Sequence, residues 1–600
     1  MAKLNLKYYN AKDKYSDGDI EDTVLSYIQS KKDYDDIIDK DQRWPVYYHL
    51  SSFRENILEW YNFPKNAKVL EIGAGCGAIT GVLAKKNKSV TCVELSKRRS
   101  QMIQERYKNV KNIEIIVGNF NDIEFKEKYD YITLIGVLEY ASLYTNTDTP
   151  YVDFLNKIKQ LLKPDGTILI AIENRLGLKY WCGANEDHLD QSFVGLNDYP
   201  NSPKSIRTFD KSQLQDIMTQ CGLHSNFYYV FPDYKFPELI LTDNFLKETK
   251  DIIYGPYYCH DMSLIAEELK LFKSAINNNV VPFFANSFFV EASIKKKPQE
   301  IQYVKYNNMR KRKYHIYTYE KDNKFYKAPR YTECKDLIKQ IAEQNNNTNN
   351  KLKIIPIETE KNRVYTKKKD YPILSDTLYS LYLKKDYKKY ISIMDEYYKY
   401  LTGLYFQSVT DNFKNISIGD TNIPVPKDIR EKLTFIKNGY IDLIPTNIMV
   451  KDDEYLAFDQ EWIMHNVPLD YILFRSIHIM QANYQMNNEF ITEVYKHFGI
   501  QEYLDFFTKI EESFQAEAVD PRYKSVIMSY ALNGANKYHL YNTYMRNYES
   551  LVKSKEELEQ KIDELKAEYD TLAQEYNNVV NSKSWKMTQK IRDIKKKISH

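Results

Sequence analysis

Short apolar runs and amphipathic stretches alternate from Ala67 to about residue 240. The runs KVLEIG, SVTCVEL, IEIIVG, YDYITLIG and GTILIAI are separated by segments of helical periodicity. Apolar runs of this length set between helices predict a parallel sheet covered by helices, an α/β domain over residues 67–240. Residues 1–66 are polar and predicted to be helical, with an acidic patch at Asp17–Glu21, and residues 241–280 read as a helical connector. Strand-like segments return at 286–294, 301–306, 314–319 and 324–328, followed by a helix at 331–344 and an asparagine-rich loop at Asn345–Asn350. More strands lie around 447–458 and helices fill 467–546, which makes residues 281–546 a second, mixed α+β domain.

The end of the chain has a different period. Leu551, Leu558, Leu565, Leu572 and Val579 recur every seven positions, and Tyr548, Ile562, Tyr569 and Tyr576 take the partner positions, with Lys555 as a polar exception. Such a pattern predicts a coiled coil over 547–580 and self-association through it. Residues 581–600 form a basic tail: seven Lys/Arg fall between Lys583 and Lys597 against one Asp593, with Trp585, Met587, Ile591, Ile594 and Ile598 on an apolar side. A basic amphipathic helix of this kind suits an anionic membrane surface or a partner protein.

Six hundred residues are too many for one core. The 85 basic and 82 acidic residues nearly cancel, so bulk charge gives no footprint for nucleic acid. Six cysteines without a CxxC pair argue against a zinc site or disulfide scaffold and suit a reducing cytoplasm. The N-terminus lacks the apolar core of a signal peptide, and no run reaches the ~20 apolar residues that span a bilayer. The expected location is cytoplasmic, with the basic tail allowing a peripheral place on the inner face of the membrane.

Two motifs carry chemistry. In VLEIGAGCGAIT, Gly73, Gly75 and Gly77 allow a sharp strand-to-helix turn and close approach of a ligand. Glu71 lies within the motif, where it can orient the turn and receive a cationic amine. Glu94 ends the next strand, where a carboxylate can hold two ribose hydroxyls. Asn119 and Phe120 end the third strand and offer an amide and a ring to adenine, and Glu139 follows the fourth as a candidate wall. This ExGxGxG pattern resembles class I S-adenosylmethionine-dependent methyltransferases, which implies a Rossmann-like fold and that cofactor; the family often has Asp where Asn119 stands. Beyond the fifth strand, Arg175 and Lys179 are candidates to hold an anionic acceptor, and Asp187 with His188 could instead form a base.

The second motif is IDLIPTNIMV followed by FDQEW. Asp442, Asn447 and Asp459 supply an acidic group for an attacking hydroxyl and two oxygen ligands for magnesium. The spacing resembles the catalytic loop and metal-binding Asp of protein kinases and aminoglycoside-phosphotransferase-like kinases. That likeness implies Asp442 as catalytic base, Asn447 and Asp459 as Mg²⁺ ligands, and ATP as cosubstrate. Lys327, near the end of a strand, is the candidate phosphate-holding lysine, with Glu333 on the next helix as its partner. The pattern departs from that family in three places: Tyr440 stands where His is usual, the loop NNMRKRK has no glycine, and Glu461–Trp462 replace Phe-Gly.

The order methyltransferase, kinase-like domain, coiled coil and basic tail resembles the bifunctional methyltransferase–kinases that terminate O-antigen chains, and SKSWKMTQKIR is similar to a terminal element of bacterial surface-polysaccharide enzymes. The resemblance implies capping of a bacterial surface polysaccharide, with a glycan or glycolipid acceptor and a glycosyltransferase or membrane partner for the tail. Two alternatives stand beside it: a sugar or lipid-intermediate O-methyltransferase with an inactive kinase-like binding module, and a coiled-coil scaffold for glycosyltransferases. No basic, aromatic-rich module for RNA accompanies the first domain.

Overall fold

A computed structural model describes residues 2–11, 18–200, 206–249, 252, 254, 257–262, 264–346, 351–405, 413–452 and 454–598. Asp17 of the acidic patch and 347–350 of the asparagine-rich loop lie outside the described residues.

The five apolar runs become strands β2 to β6. In chain order the first fourteen strands are β1 (Lys3–Asn5), β2 (Lys68–Ile72), β3 (Ser89–Glu94), β4 (Ile113–Val117), β5 (Tyr129–Ile135), β6 (Leu162–Glu173), β7 (His224–Phe231), β8 (Leu239–Thr242), β9 (Ser287–Ser293), β10 (Ile301–Tyr306), β11 (Ile316–Lys321), β12 (Lys324–Pro329), β13 (Glu358–Glu360) and β14 (Arg363–Lys367). They form one sheet in the order β1-β4-β3-β2-β5-β6-β9-β7-β8-β10-β11-β12-β14-β13. The neighbours from β1 to β6 are parallel. From the β6–β9 pair onward every pair is antiparallel. Val69, Leu70, Ile132, Leu134, Ile168 and Leu169 are fully buried, as strands covered on both faces require.

Three expectations are corrected by this topology. The strand at 286–294, assigned to the second domain, is β9 and lies between β6 and β7 in the first. Its Phe288, Phe289 and Val290 are fully buried, which fits a central strand rather than the start of a new lobe. The connector at 241–280 is not wholly helical: it opens inside β8, which joins β7 to β10 and carries the sheet past residue 281 without a break. The first 66 residues are helical as expected over Ile20–Ser30, Tyr34–Lys40 and Trp44–Leu50, but β1 also adds a parallel edge strand against β4.

The second half has its own core. Strands β15 (Asn415–Ile418), β16 (Thr421–Pro424), β17 (Phe435–Tyr440) and β20 (Ile463–Pro468) form a four-stranded sheet, and β18 (Ile448–Lys451) with β19 (Glu454–Ala457) a hairpin. Helices Tyr387–Tyr405, Leu469–Tyr484 and Leu504–Ala518 pack with them around Tyr397, Leu443, Trp462 and Phe507.

Residues 534–600 belong to a second compact unit. The helix Pro521–Asn581 carries the heptad positions and Lys583–Ile598 forms the basic helix. Leu551, Leu558, Leu565, Leu572 and Val579 are 53–69% exposed, so one chain alone leaves its apolar seam in water. Among the described residues, no helix is long and apolar enough to cross a membrane.

Candidate active site

The carboxyl ends of the parallel strands open on a cavity of about 550 Å³. A crevice at this end is where open α/β sheets place ligands. Gly73, Gly75, Glu71, Glu94, Asn119, Phe120 and Glu139 all line it; Gly77 sits in the same turn. Gly73, Gly75 and Gly77 have φ of +70°, +55° and +78°, the left-handed region that side chains resist. A Cβ on Gly73 would come within 2.6 Å of Val137 Cγ2, whereas one on Gly75 meets nothing within 4 Å.

Two carboxylates fix this loop. Glu94 Oε2 accepts from Gly75 N at 2.7 Å and its Oε1 from Ser96 N at 2.9 Å, so it ties the glycine turn to the next helix start. Glu71 Oε2 accepts from Thr80 Oγ1 at 2.7 Å and Cys92 Sγ at 3.3 Å, which pins β2 to the helix Thr80–Lys86. Burial pushes the Glu71 carboxyl up to about 7 and also raises Glu94. Asn119 Oδ1 is engaged in its own turn, accepting from Asn121 N at 2.9 Å. Phe120 is buried against Phe125 and Phe154.

Beyond the strand ends lies a dense charged cluster. Lys235 pairs with Glu173 and with Asp187, the latter at 2.9 Å, and Lys179 pairs with Asp187 at 2.7 Å. Arg175 is taken up by Asp210 at 2.7 Å and the Gly195 carbonyl at 3.1 Å. The two expected anion-holding cations are therefore already neutralised by carboxylates. His188 lies with Nε2 3.5 Å from Glu173 Oε2 and Nδ1 3.2 Å from the Tyr140 hydroxyl. Glu139 is fully buried, and among the described residues neither of its oxygens has a hydrogen-bond partner. Burial raises its carboxyl to about 8.

Part of the wall was not read from the sequence. Trp44, Pro45, Tyr48, His49 and Arg54 line the cavity from the N-terminal segment, with Tyr234 and Lys235 from the turn after β7. Arg54 Nη1 donates to the Lys235 carbonyl at 3.0 Å and Nη2 to the Tyr48 hydroxyl at 3.1 Å. The aromatic run WPVYYHL was the available signal, because a polar segment has little other reason to carry it.

The second motif also assembles. Asn447 Nδ2 donates to the Asp442 carbonyl at 3.1 Å, and Glu461 N donates to Asp442 Oδ2 at 3.2 Å. Lys327 on β12 forms ion pairs with Asp459 and Glu461. Burial lifts the Asp442 carboxyl to about 6, against the pull of Arg475, whose Nη2 lies 3.6 Å from its Oδ1. Burial opposes ionisation of Glu461, but Arg310 at 2.7 Å and Lys327 hold it down at about 2. Glu333 is a correction. It sits in the turn Thr332–Cys334, exposed, paired with Arg312 at 3.1 Å, and it does not meet Lys327. The lysine takes its acids from 132 and 134 positions downstream instead, at Asp459 and Glu461, a pairing no local spacing reveals.

Residues 70–170 match a family model described as a methyltransferase domain. The chain is 36% identical over 78 residues to the ribosomal RNA small subunit methyltransferase A of Borrelia garinii subsp. bavariensis, covering 13% of this chain and 28% of that protein. It is 47% identical over 64 residues to a probable enzyme of the same name from Methanosarcina barkeri, covering 11% and 22%. The chain thus spans under a third of the length of these curated relatives. Among solved structures it is similar to the YcgJ protein from Bacillus subtilis, with 14% identity, TM-score 0.25, and coverage of 41% of this chain and 100% of that one. Phosphoethanolamine N-methyltransferase 1 of Haemonchus contortus, solved with phosphoethanolamine and S-adenosylhomocysteine, gives 14% identity, TM-score 0.26, and coverage of 47% and 50%. The family match stands with the parallel sheet and its glycine turn: the chain carries a Rossmann-like methyltransferase domain.

Proposed function

We propose that the chain is an S-adenosylmethionine-dependent methyltransferase joined to an ATP- and Mg²⁺-dependent sugar kinase, and that it caps the end of a bacterial surface polysaccharide. The observation that carries the first half is the cavity lined by the left-handed glycine turn, Glu71, Glu94, Asn119 and Phe120. The residues fit the cofactor: Glu94 keeps lone pairs beyond its two backbone bonds for hydroxyls, and the open space at Gly75 leaves room for a ligand against the backbone. Bound there, the cofactor supplies an activated methyl group on a sulfonium. The chain's own work is positioning: the turn fixes the approach, Glu71 faces the cationic end, and the aromatic N-terminal wall excludes water. A phosphate acceptor brings its own negative charge and needs no base; a hydroxyl acceptor requires one.

The kinase half is supported by the convergence of Asp442, Asn447, Asp459 and Lys327. A carboxylate and an amide oxygen are hard ligands that suit Mg²⁺, and Asp442, raised toward neutrality, suits a base for a sugar hydroxyl. Its product, a phosphorylated sugar end, would be the base-free acceptor for the methyl group. The exposed heptad seam supports self-association, and the basic helix supports docking to a glycosyltransferase or to the inner membrane face from the cytoplasm.

A second reading keeps the methyltransferase and makes the kinase-like half a binding module. It is favoured by Lys327 and Arg310 both being spent on Asp459 and Glu461. RNA methylation, the activity in the relatives' names, is a third. Transfer of a labelled methyl group separates them. The capping reading expects label on a glycan acceptor only when ATP and Mg²⁺ are present. Label without ATP supports the binding module, and label on ribosomal RNA alone overturns the glycan reading.

A further inference from the structure

We infer that Glu139, Glu173 and His188 form a binding site for one divalent metal ion of the Mn²⁺ or Zn²⁺ type beside the cofactor cavity. One ligand atom from each of the three lies within 4.8 Å of the others. They come from three separate segments: the turn Leu138–Tyr140 after β5, the end of β6, and the loop beyond the helix Leu178–Trp181. Glu139 and His188 line the cavity itself.

The second observation is what these groups lack. Among the described residues, Glu139 is fully buried with neither carboxylate oxygen hydrogen-bonded, and Glu173 Oε2 and His188 Nε2 have only each other, at 3.5 Å. Buried polar atoms are nearly always satisfied, so the two orphaned oxygens of Glu139 beside a long Glu173–His188 contact call for a ligand. The neighbouring lysines do not supply it. Lys235 is committed to Glu173 Oε1 and Asp187 Oδ1, and Lys179 to Asp187 Oδ2. Asp233 sits 3.8 Å from each lysine. Both ammonium groups are thus taken up by carboxylates other than Glu139.

The remaining bonds orient the ligands as a metal site needs. Tyr140 engages His188 Nδ1; with Nδ1–H donating to that hydroxyl, Nε2 presents its lone pair. Lys235 holds one oxygen of Glu173 and leaves the other facing His188. One imidazole and two carboxylates suit a first-row divalent ion, with bonds of about 2.0–2.2 Å that require the side chains to draw in slightly. Three protein ligands leave coordination positions open. The site does not depend on the methyl-transfer reading; its use, to hold a hydroxyl or phosphate oxygen of the acceptor, rests on that reading.

The test uses the full chain in an Asp459→Ala background, so that the second acidic cluster does not report. After chelator treatment, Mn²⁺ and, separately, Zn²⁺ are titrated by calorimetry, with bound Mn²⁺ counted by electron paramagnetic resonance. One ion per chain is expected, weakened at least about tenfold by Glu139→Gln and by His188→Gln. Circular dichroism and metal-free melting identify any variant that fails to fold, and the other variant then decides. No binding of either metal, or binding that both folded variants leave unchanged, overturns the inference. S-adenosylmethionine binding is measured on the same unsubstituted background: cofactor binding without metal binding sinks this site and leaves the methyltransferase reading standing, and the converse does the reverse.

Discussion

Glu71 gives the cofactor pocket a proton signature. Its carboxyl is pushed up to about 7 by burial, with Thr80 and Cys92 the hydrogen-bond donors that relieve it among the described residues. At pH 7 about half of the free protein therefore carries a proton there, about nine-tenths at pH 6 and about a tenth at pH 8. A cationic amine held beside the carboxylate favours the ionised form, and each unit of lowering is worth about 1.4 kcal/mol. Binding should therefore release about half a proton at pH 7, close to one at pH 6 and little at pH 8. Affinity should fall about tenfold between pH 8 and pH 6, because the ligand must displace the proton. S-adenosylhomocysteine suits the assay, since its amine remains protonated over this range. Calorimetry in buffers of different ionisation enthalpy reads the proton count directly. Glu94 is also raised by burial and adds its own release, so the comparison that matters is with Glu71→Gln, in which the Glu71 share must vanish. Equal proton release by wild type and Glu71→Gln would refute the placement of the amine beside this carboxylate.

The same carboxyl predicts a stability effect of definite sign. A folded value raised from 4.5 to about 7 means that its contribution is fully present below pH 4.5 and lost as pH rises to about 7, on the order of 3 kcal/mol relative to Glu71→Gln, read as a closing gap in Tm between pH 5 and pH 8. ATP with Mg²⁺ at a hundred times Kd should stabilise wild type by about 2.7 kcal/mol, and Asp459→Ala should lose most of that shift in a melting assay; equal shifts would remove the kinase reading. Arg330 is buried and bonds to Asn56 and Glu59, to the Ser52 carbonyl at 2.8 Å and to Glu55 at 3.2 Å. Arg330→Met should cost about 3–5 kcal/mol by leaving these acids unpaired, seen as a lower Tm. Leu558→Glu with Leu565→Glu should convert the protein to monomer in sedimentation equilibrium, whereas an unchanged mass would show that the seam does not hold the assembly.

The sequence made the parallel half of the first sheet legible because buried parallel strands write continuous apolar runs. VLEIG and its glycines fix strand, turn and helix within a dozen residues. The strand FFVEA was just as visible, but an apolar run carries no mark of which sheet it enters. Its register against β6 and β7 is a long-range choice that places it in the first half. A three-residue edge strand such as β1 has too little pattern to show at all. The acidic loop of the second site was readable because Asp442, Asn447 and Asp459 lie within 18 positions of one another. The partner of Lys327 is not, because the helical face that favours Glu333, beside Leu337 and Ile341, says nothing of acids that approach through the fold. Arg54, Trp44 and Lys235 were missed for the same reason: three distant segments meet only around the cavity.

The central claim is that one cavity, between the glycine turn and Glu94, holds the methyl donor. Equilibrium binding of S-adenosylmethionine to the full chain tests it most directly. Wild type should bind one molecule per chain; Glu94→Ala should lose the hydroxyl-holding carboxylate, and Gly75→Arg should fill the open space with a side chain at φ +55°, so both should abolish measurable binding. Undiminished affinity in both variants would contradict the account.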